Sequence, residues 1–324
     1  MQYVFTLPEH RQSAVFAVSA FDGVHSKHQQ LLAETITTAE RLGVTPVALL
    51  PWPPAPTLDD PAGAGMLTTL SERIRLLERF APTVELVLLP SEATQPWSPT
   101  TLLERMTSGW DVKCLVVDPS SDEHLCGTEL ADAARLYGVP VAALAREDVS
   151  ATPMGARIRA DLLEGRATEA ARHLTYEYKL SAEVVGGDRR GRLLGFPTAN
   201  LHVDAGKVIP GNGIYAVRVG LPGERDMSRP AVASIGVRPT FGTSNARLVE
   251  VYLLDLSMDL YGVRIETAFV EWLRAEERFD TVEALIRQMS ADVEEARQRL
   301  AHGRRLPEGS TGSLRLAHEA DAHP

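Results

Sequence analysis

The texture of this chain changes near Tyr176, from alternating strand-like and helix-like runs to successive strand-like ones, and that change limits what it can fold into. Before it, strand-like runs at residues 13–19, 45–50, 84–89, 114–118 and 139–144 alternate with helix-like ones at 27–42, 66–80, 100–108 and 129–137. In the second of these helices Leu67, Leu70, Ile74 and Leu77 recur at helical spacing. Such alternation predicts a doubly wound α/β unit, a parallel sheet with helices on its faces. The Pro-rich stretch 51–61 reads as an irregular connection, and 156–164 and 168–174 as two short helices leading out. Beyond Tyr176, β-rich runs at 179–185, 213–219, 231–236, 247–254 and 266–272 follow one another with Gly and Pro between them. Five or six short strands without intervening helices predict an all-β unit, an antiparallel sheet closed into a barrel. An amphipathic helix over 281–301, capped by Asp280 or Thr281, ends the ordered chain. The expected division is 1–175, 176–302 and a polar, disordered tail 303–324.

Composition narrows the function classes. A length of 324 residues suits two domains, and 44% hydrophobic with 23% charged residues is an ordinary globular balance. No apolar run approaches the ~20 residues of a membrane span, and the first twenty positions, with Glu9, His10 and Arg11, lack a signal-peptide layout. A cytoplasmic location is therefore expected. Cys114 and Cys126 have no metal-ligand spacing and read as reduced thiols. A net charge of −10 argues against a nucleic-acid partner, since phosphate backbones require clustered Lys and Arg. Local positive charge for a small anion remains compatible with it.

The richest chemistry lies between Gly186 and Leu201. Glycines at 186, 187, 191 and 195 let backbone N–H groups approach an anion, and Arg189, Arg190 and Arg192 add positive charge. No Walker sequence occurs. Pro197 keeps its neighbours extended, so Thr198 and Asn200 point the same way and offer hard oxygen donors suited to Mg²⁺. The competing reading is a Gly-rich hairpin whose Thr and Asn make turn hydrogen bonds. Glu250 stands in a run, Leu248 to Leu254, apolar on both faces. A carboxylate there is either a base whose pKa burial raises, or a rim residue reaching solvent or an arginine. The charged stretch from Trp272 to Phe279 reads either as a functional loop or as a solvated approach to the last helix.

Taken together, these segments resemble the riboflavin kinase domain of bacterial bifunctional riboflavin kinase/FMN adenylyltransferases, the FAD synthetases. The resemblance runs from about Tyr176 to Arg297. It rests on Gly191-Arg192, the Leu194–Leu201 run, Gly213 to Val217, Ile235 to Phe241, Val249-Glu250-Val251, Asp259 to Gly262 and Leu273 to Glu276 with Phe279. It implies a six-stranded antiparallel barrel with a terminal helix that transfers the ATP γ-phosphate to the ribityl 5′-hydroxyl of riboflavin, giving FMN. Thr198 and Asn200 would hold Mg²⁺ on the ATP phosphates, and the hairpin with Gly191, Arg192, Gly195 and Pro197 would cover them. Glu250 would be the base, and Arg274 and Glu276 would belong to a loop closing over the flavin.

In the N-terminal half, Phe21-Asp22-Gly23-Val24-His25-Ser26-Lys27-His28 follows the first long strand and opens a helix. Open α/β sheets bind ligands at such a place, and helix N-termini favour phosphate. An isolated pair of histidines there could equally cap the helix. The segment resembles the His-x-Gly-His of the same family's nucleotidyltransferase domain, with three departures. Lys27 replaces the glycine, Val116-Val117-Asp118-Pro119-Ser120-Ser121-Asp122 replaces a Gly-x-Asp-Phe-x-Phe-Gly segment, and Met154-Gly155-Ala156-Arg157-Ile158-Arg159 replaces a hydroxyl-rich triphosphate segment. Of that site His25, His28, Arg157 and Arg159 remain. On these residues adenylyl transfer is expected to be lost or much reduced, with a full FAD synthetase and a non-catalytic flavin-binding protein as the alternatives.

Overall fold

The structure, a computed structural model, describes residues 3–4, 12–52, 65–90, 97–121, 127–145, 152–187, 191, 194–224, 227–237, 247–256 and 258–302. The expected tail 303–324, Cys126, Arg189, Arg190 and Arg192 lie outside the described residues.

The first half forms six parallel strands: β1 (Tyr3–Val4), β2 (Gln12–Val18), β3 (Thr45–Trp52), β4 (Glu85–Pro90), β5 (Trp110–Val117) and β6 (Val141–Ala143). Their order is β1-β4-β3-β2-β5-β6, so the winding reverses between β2 and β5. Helices α1 (Ser26–Leu42), α2 (Leu70–Phe80), α3 (Pro99–Gly109) and α4 (Thr128–Leu136) connect them. Alternate residues of β2 face opposite layers: Ala14, Phe16 and Val18 join one buried cluster, Val15 and Ala17 the other. A strand buried on both faces reads as a continuous apolar run, as residues 14–18 do.

Two expectations need correcting here. Residues 51–52, read as irregular, extend β3, with Pro51 opposite Leu89. The helix expected over 66–80 begins only at Leu70, because Thr69 and Glu72 form a capping box that fixes its start. Leu67 instead packs into the core of the second half.

Helices α5 (Met154–Leu163) and α6 (Ala167–Leu174) lead into β7 (Tyr178–Val185), β8 (Ala199–His202), β9 (Gly213–Gly220), β10 (Arg229–Val237), β11 (Arg247–Leu253) and β12 (Arg264–Arg274). These six strands close antiparallel in the order β10-β11-β8-β7-β12-β9. Inward residues such as Leu180, Val217, Ala233, Val251 and Phe269 are fully buried, and the alternation in β11 leaves Leu248, Glu250 and Tyr252 on the outer face. The four-residue strand β8 is the one that strand periodicity did not single out. The last helix, α7 (Val282–His302), is capped by Thr281, whose Oγ1 accepts from Ala284 N at 3.2 Å.

The two halves share packing. Ile158, Leu162, Ala170 and Leu174 from α5 and α6, with Leu67, belong to the barrel's own hydrophobic cluster. Met66 and Lys207 form a parallel bridge, and the buried Lys207 ammonium donates to Leu67 O (2.5 Å) and Glu72 Oε2 (2.7 Å). Burial pushes the Lys207 pKa down, and the Glu72 carboxylate works against that push. Among the described residues no helix is long and apolar enough to cross a membrane.

Candidate functional site

In the barrel, β8 and β11 are neighbours, and their register sets Asn200 opposite Glu250. Ser234 of β10 is opposite Glu250 on its other side. Thr198, just ahead of β8, donates from Oγ1 to Glu250 Oε1 at 3.3 Å. Ala199 and Leu201 point into the barrel while Thr198 and Asn200 are half-exposed, so all three site residues share the outer face. Glu250 therefore does not sit in a strand buried on both faces: its inward neighbours Val249 and Val251 carry the core, and its own face is half-exposed.

The preceding hairpin is held against these residues. Leu194 N and Phe196 N both donate to Gly191 O, at 3.0 and 2.9 Å. Gly195 turns the chain at φ 87°, a left-handed conformation that glycine adopts without strain. A Cβ at Gly191 would collide with the Phe196 carbonyl and come within 3.4 Å of Thr198 Oγ1. One at Gly187 would strike the Asn200 side-chain amide. These two glycines thus form a cradle around Thr198 and Asn200 that any side chain would fill. The Phe196 ring packs edge-on against Tyr252, centroids 5.4 Å apart, and fixes the approach to Pro197 from the outer face of β11. Gly187 was part of the glycine-rich stretch without an assigned role; a second glycine facing an extended Thr-x-Asn was its signal.

Glu276 reaches β10, and Arg274, two residues before it, ends β12. The Arg274 guanidinium is clamped by Asp292 of α7, Nε to Oδ1 and Nη2 to Oδ2 both 2.7 Å. The Glu276 carboxylate lies against Gly236 of β10, where a Cβ would collide with its Oε1. Sequence reasoning passed over Asp292, whose only signal is a carboxylate on the inward stripe of α7 with Leu285, Met289 and Ala296.

In the sheet, β2 ends where the strand order reverses, and His25 and His28 stand at that end. His25 caps α1 through Nδ1, which accepts from His28 N at 3.5 Å, and the two rings stack with centroids 3.7 Å apart. His28 Nε2 meets Ser19 Oγ at 3.0 Å. The connecting turn is strained: Phe21 and Val24 have φ of 49° and 39°, positions that L side chains rarely take. Asp22 holds it, accepting from Leu67 N, Thr68 N and Thr68 Oγ1 at 2.9 Å each, Arg73 at 2.7 Å and Arg159 at 2.5 Å. Burial alone would push the Asp22 carboxyl up, but the two guanidiniums and the added donors leave it below its ordinary value. Tyr176 adds a hydrogen bond to Gly23 O at 2.6 Å from the barrel side. Arg159 also donates to Gly65 O at 2.9 Å, whereas Arg157 stays half-exposed on Thr152 O. Lys27 is buried. Asp118 closes the turn after β5, its Oδ1 accepting from Ser120 N at 3.0 Å and Ser120 Oγ at 2.5 Å.

A parallel sheet whose strand order reverses beside His25 and His28 is thus joined to a closed barrel that carries a glycine-flanked Thr-x-Asn and a facing carboxylate. The family model described as riboflavin kinase matches residues 174–300, and the one described as FAD synthetase matches 7–121. The bifunctional riboflavin kinase/FMN adenylyltransferase of Listeria monocytogenes is 30% identical over 87% of this chain and 91% of its own. The protein of that description from Escherichia coli K12 is 31% identical over 89% and 93%. A crystal structure from Streptococcus pneumoniae, described as a macrolide-efflux protein, aligns with a TM-score of 0.77 at 25% identity, covering 92% of this chain and 99% of that one. This chain belongs to the bifunctional riboflavin kinase/FMN adenylyltransferase family, and its barrel is a riboflavin kinase domain.

Proposed function

We propose that the barrel phosphorylates riboflavin with Glu250 as base, a reading carried by the convergence of Thr198, Asn200 and Glu250 under the Gly187 and Gly191 cradle. The ribityl 5′-hydroxyl attacks the γ-phosphorus in line; its proton passes to Glu250 as the new O–P bond forms and the bond to the ADP oxygen breaks. Phosphoryl transfer asks chiefly for positioning and charge neutralisation, which a short backbone cradle and one carboxylate can supply. The two glycines let the backbone close on two neutral oxygen donors, Thr198 Oγ1 and the Asn200 amide, a set that fits Mg²⁺ bound together with ATP phosphates. Bound there, Mg²⁺ would supply charge neutralisation of the polyphosphate. Gly191, Arg192, Gly195 and Pro197 cover the phosphates, and Arg274 and Glu276 belong to the segment over the flavin. Residues 1–175 and 176–302 are the two working units, acting on small molecules in the cytoplasm.

For the first unit, matches to both family models and relatives described as bifunctional along nearly the whole chain favour a complete FAD synthetase over a kinase with a silent partner. The expectation of lost adenylyl transfer gives way to that reading. In it, the FMN phosphate attacks the ATP α-phosphorus beside His25 and His28, and pyrophosphate leaves. In that reading, Lys27 in place of a glycine slows the second step.

A chromatographic time course of purified protein with riboflavin, ATP and Mg²⁺ tests both. FMN followed by FAD supports the bifunctional enzyme, and FMN alone restores the kinase-only reading. No product from riboflavin with folded protein overturns the proposal for the barrel.

A further inference from the structure

The chain between β12 and α7 is fixed at two places outside the Thr198–Glu250 group. At one, Arg274 and Asp292 meet fork to fork, Nε to Oδ1 and Nη2 to Oδ2 both at 2.7 Å, and Gln288 Nε2 adds a third donor to Oδ1 at 3.0 Å. Asp292 is 5% exposed, so this charge is desolvated and held by its partners. The bidentate geometry sets the plane of the guanidinium as well as its position. Its remaining Nη1 donates to Ala275 O at 2.9 Å, and the Phe279 ring lies 5.9 Å from its Cζ. An arginine so occupied anchors its own segment rather than offering a fork to a ligand.

At the other place, Glu276 lies with its carboxylate directly against the bare Cα of Gly236, where any Cβ would collide with Oε1 and lie 2.9 Å from the carboxyl carbon. Gly236 is two residues along β10 from Ser234, the cross-strand partner of Glu250. Strand alternation therefore puts Gly236 on the face that carries the base. The anchor and the gap together set a carboxylate over that face, next to where the phosphate acceptor must lie.

We infer that Asp292 and Gly236 are positioning residues for the acceptor: Asp292 acts through Arg274, and Gly236 leaves the space Glu276 occupies, so that both act on the segment already proposed to lie over the flavin. This rests on the reading that the barrel phosphorylates riboflavin. A purely structural clamp would hold α7 to the barrel and affect both substrates alike; a positioning role separates them.

The test uses the full-length protein with D292N, D292E and G236A, measuring riboflavin binding by quenching of its fluorescence without ATP, the KM values for riboflavin and Mg·ATP, and the melting temperature. D292N and G236A are expected to raise the riboflavin Kd and KM by about tenfold, equivalent to ~1.4 kcal/mol, with the Mg·ATP KM within about twofold of the parent. D292E is expected to recover part of the loss. Unchanged riboflavin affinity in both variants, or equal changes in the two KM values, overturns the inference. Should D292N not fold, G236A decides alone, since it leaves the ion pair intact. A parent protein that binds riboflavin but forms no FMN sinks the kinase reading while the Kd values still decide this one; a parent that binds no riboflavin sinks both.

Discussion

The two candidate sites of this chain are built on different plans. In the barrel, Thr198, Asn200 and Glu250 are half-exposed on the outer face of the sheet, and bare glycine backbone closes on the first two. At the end of β2, Asp22, His25, Lys27, His28 and Arg159 are all buried, and Asp22 and Arg159 are bonded to each other. A polar group in a half-exposed site can exchange water for ligand at little expense. A buried charge must first give up a partner, and breaking such a pair leaves an uncompensated charge. Retained residue types therefore do not make two sites equally ready, even within one family.

The sharpest way to break this comparison is Glu250→Gln. It is expected to lower kcat for FMN formation by about 10²–10⁴-fold with riboflavin affinity unchanged. Undiminished turnover would place the base elsewhere and leave the outer face without its central role.

Next in size is Asp22→Asn, which faces two guanidiniums with a neutral amide and should destabilise the folded chain by about 3–5 kcal/mol in urea unfolding at pH 7. Because the folded Asp22 pKa lies below the ordinary 3.8, its contribution is present above that value and disappears as pH falls through the folded pKa. The gap between parent and variant should therefore narrow below about pH 4. A gap independent of pH would show that the carboxylate charge is not what holds the turn.

Asn200→Ala should raise the KM for Mg·ATP by roughly tenfold, ~1.4 kcal/mol, while the riboflavin KM stays put. Equal shifts in the two would argue that Asn200 merely supports β8. The smallest expected effect is at Lys27→Gly, which restores a bare backbone beside the histidines. FAD formation should rise by about threefold, ~0.7 kcal/mol, against a modest loss of helix stability. No rise would mean that Lys27 does not hinder the nucleotide.

Much of the fold was readable because apolar periodicity survives any detail of packing. The alternation of strand-like with helix-like runs announced a parallel sheet, and successive strand-like runs without helices between them announced the barrel. Reading failed where local pattern and tertiary contact disagreed. Leu67 has helical spacing with Leu70 and Ile74, yet Thr69 caps the helix after it, and Leu67 belongs to the barrel's core. Strand β8 is four residues long, too short for alternation to stand out, and is defined by pairing with β7 and β11. For the site, the residue types Gly, Thr, Asn and Glu were legible, but the face they share depends on the register between β8 and β11.

By itself the sequence determined the division into two units and the kinds of atom available for phosphate chemistry, since both follow from local periodicity and side-chain type. Only the tertiary structure decided which charges are committed. Arg159 is bonded to Asp22 across 137 positions, Lys207 to Glu72 across 135, and Arg274 to Asp292 across 18. Pairings between separate elements carry no periodic signal, because they depend on the angles and distances at which helices and strands pack. Desolvation on packing is also what turns a solvated charge into one that must keep its partner.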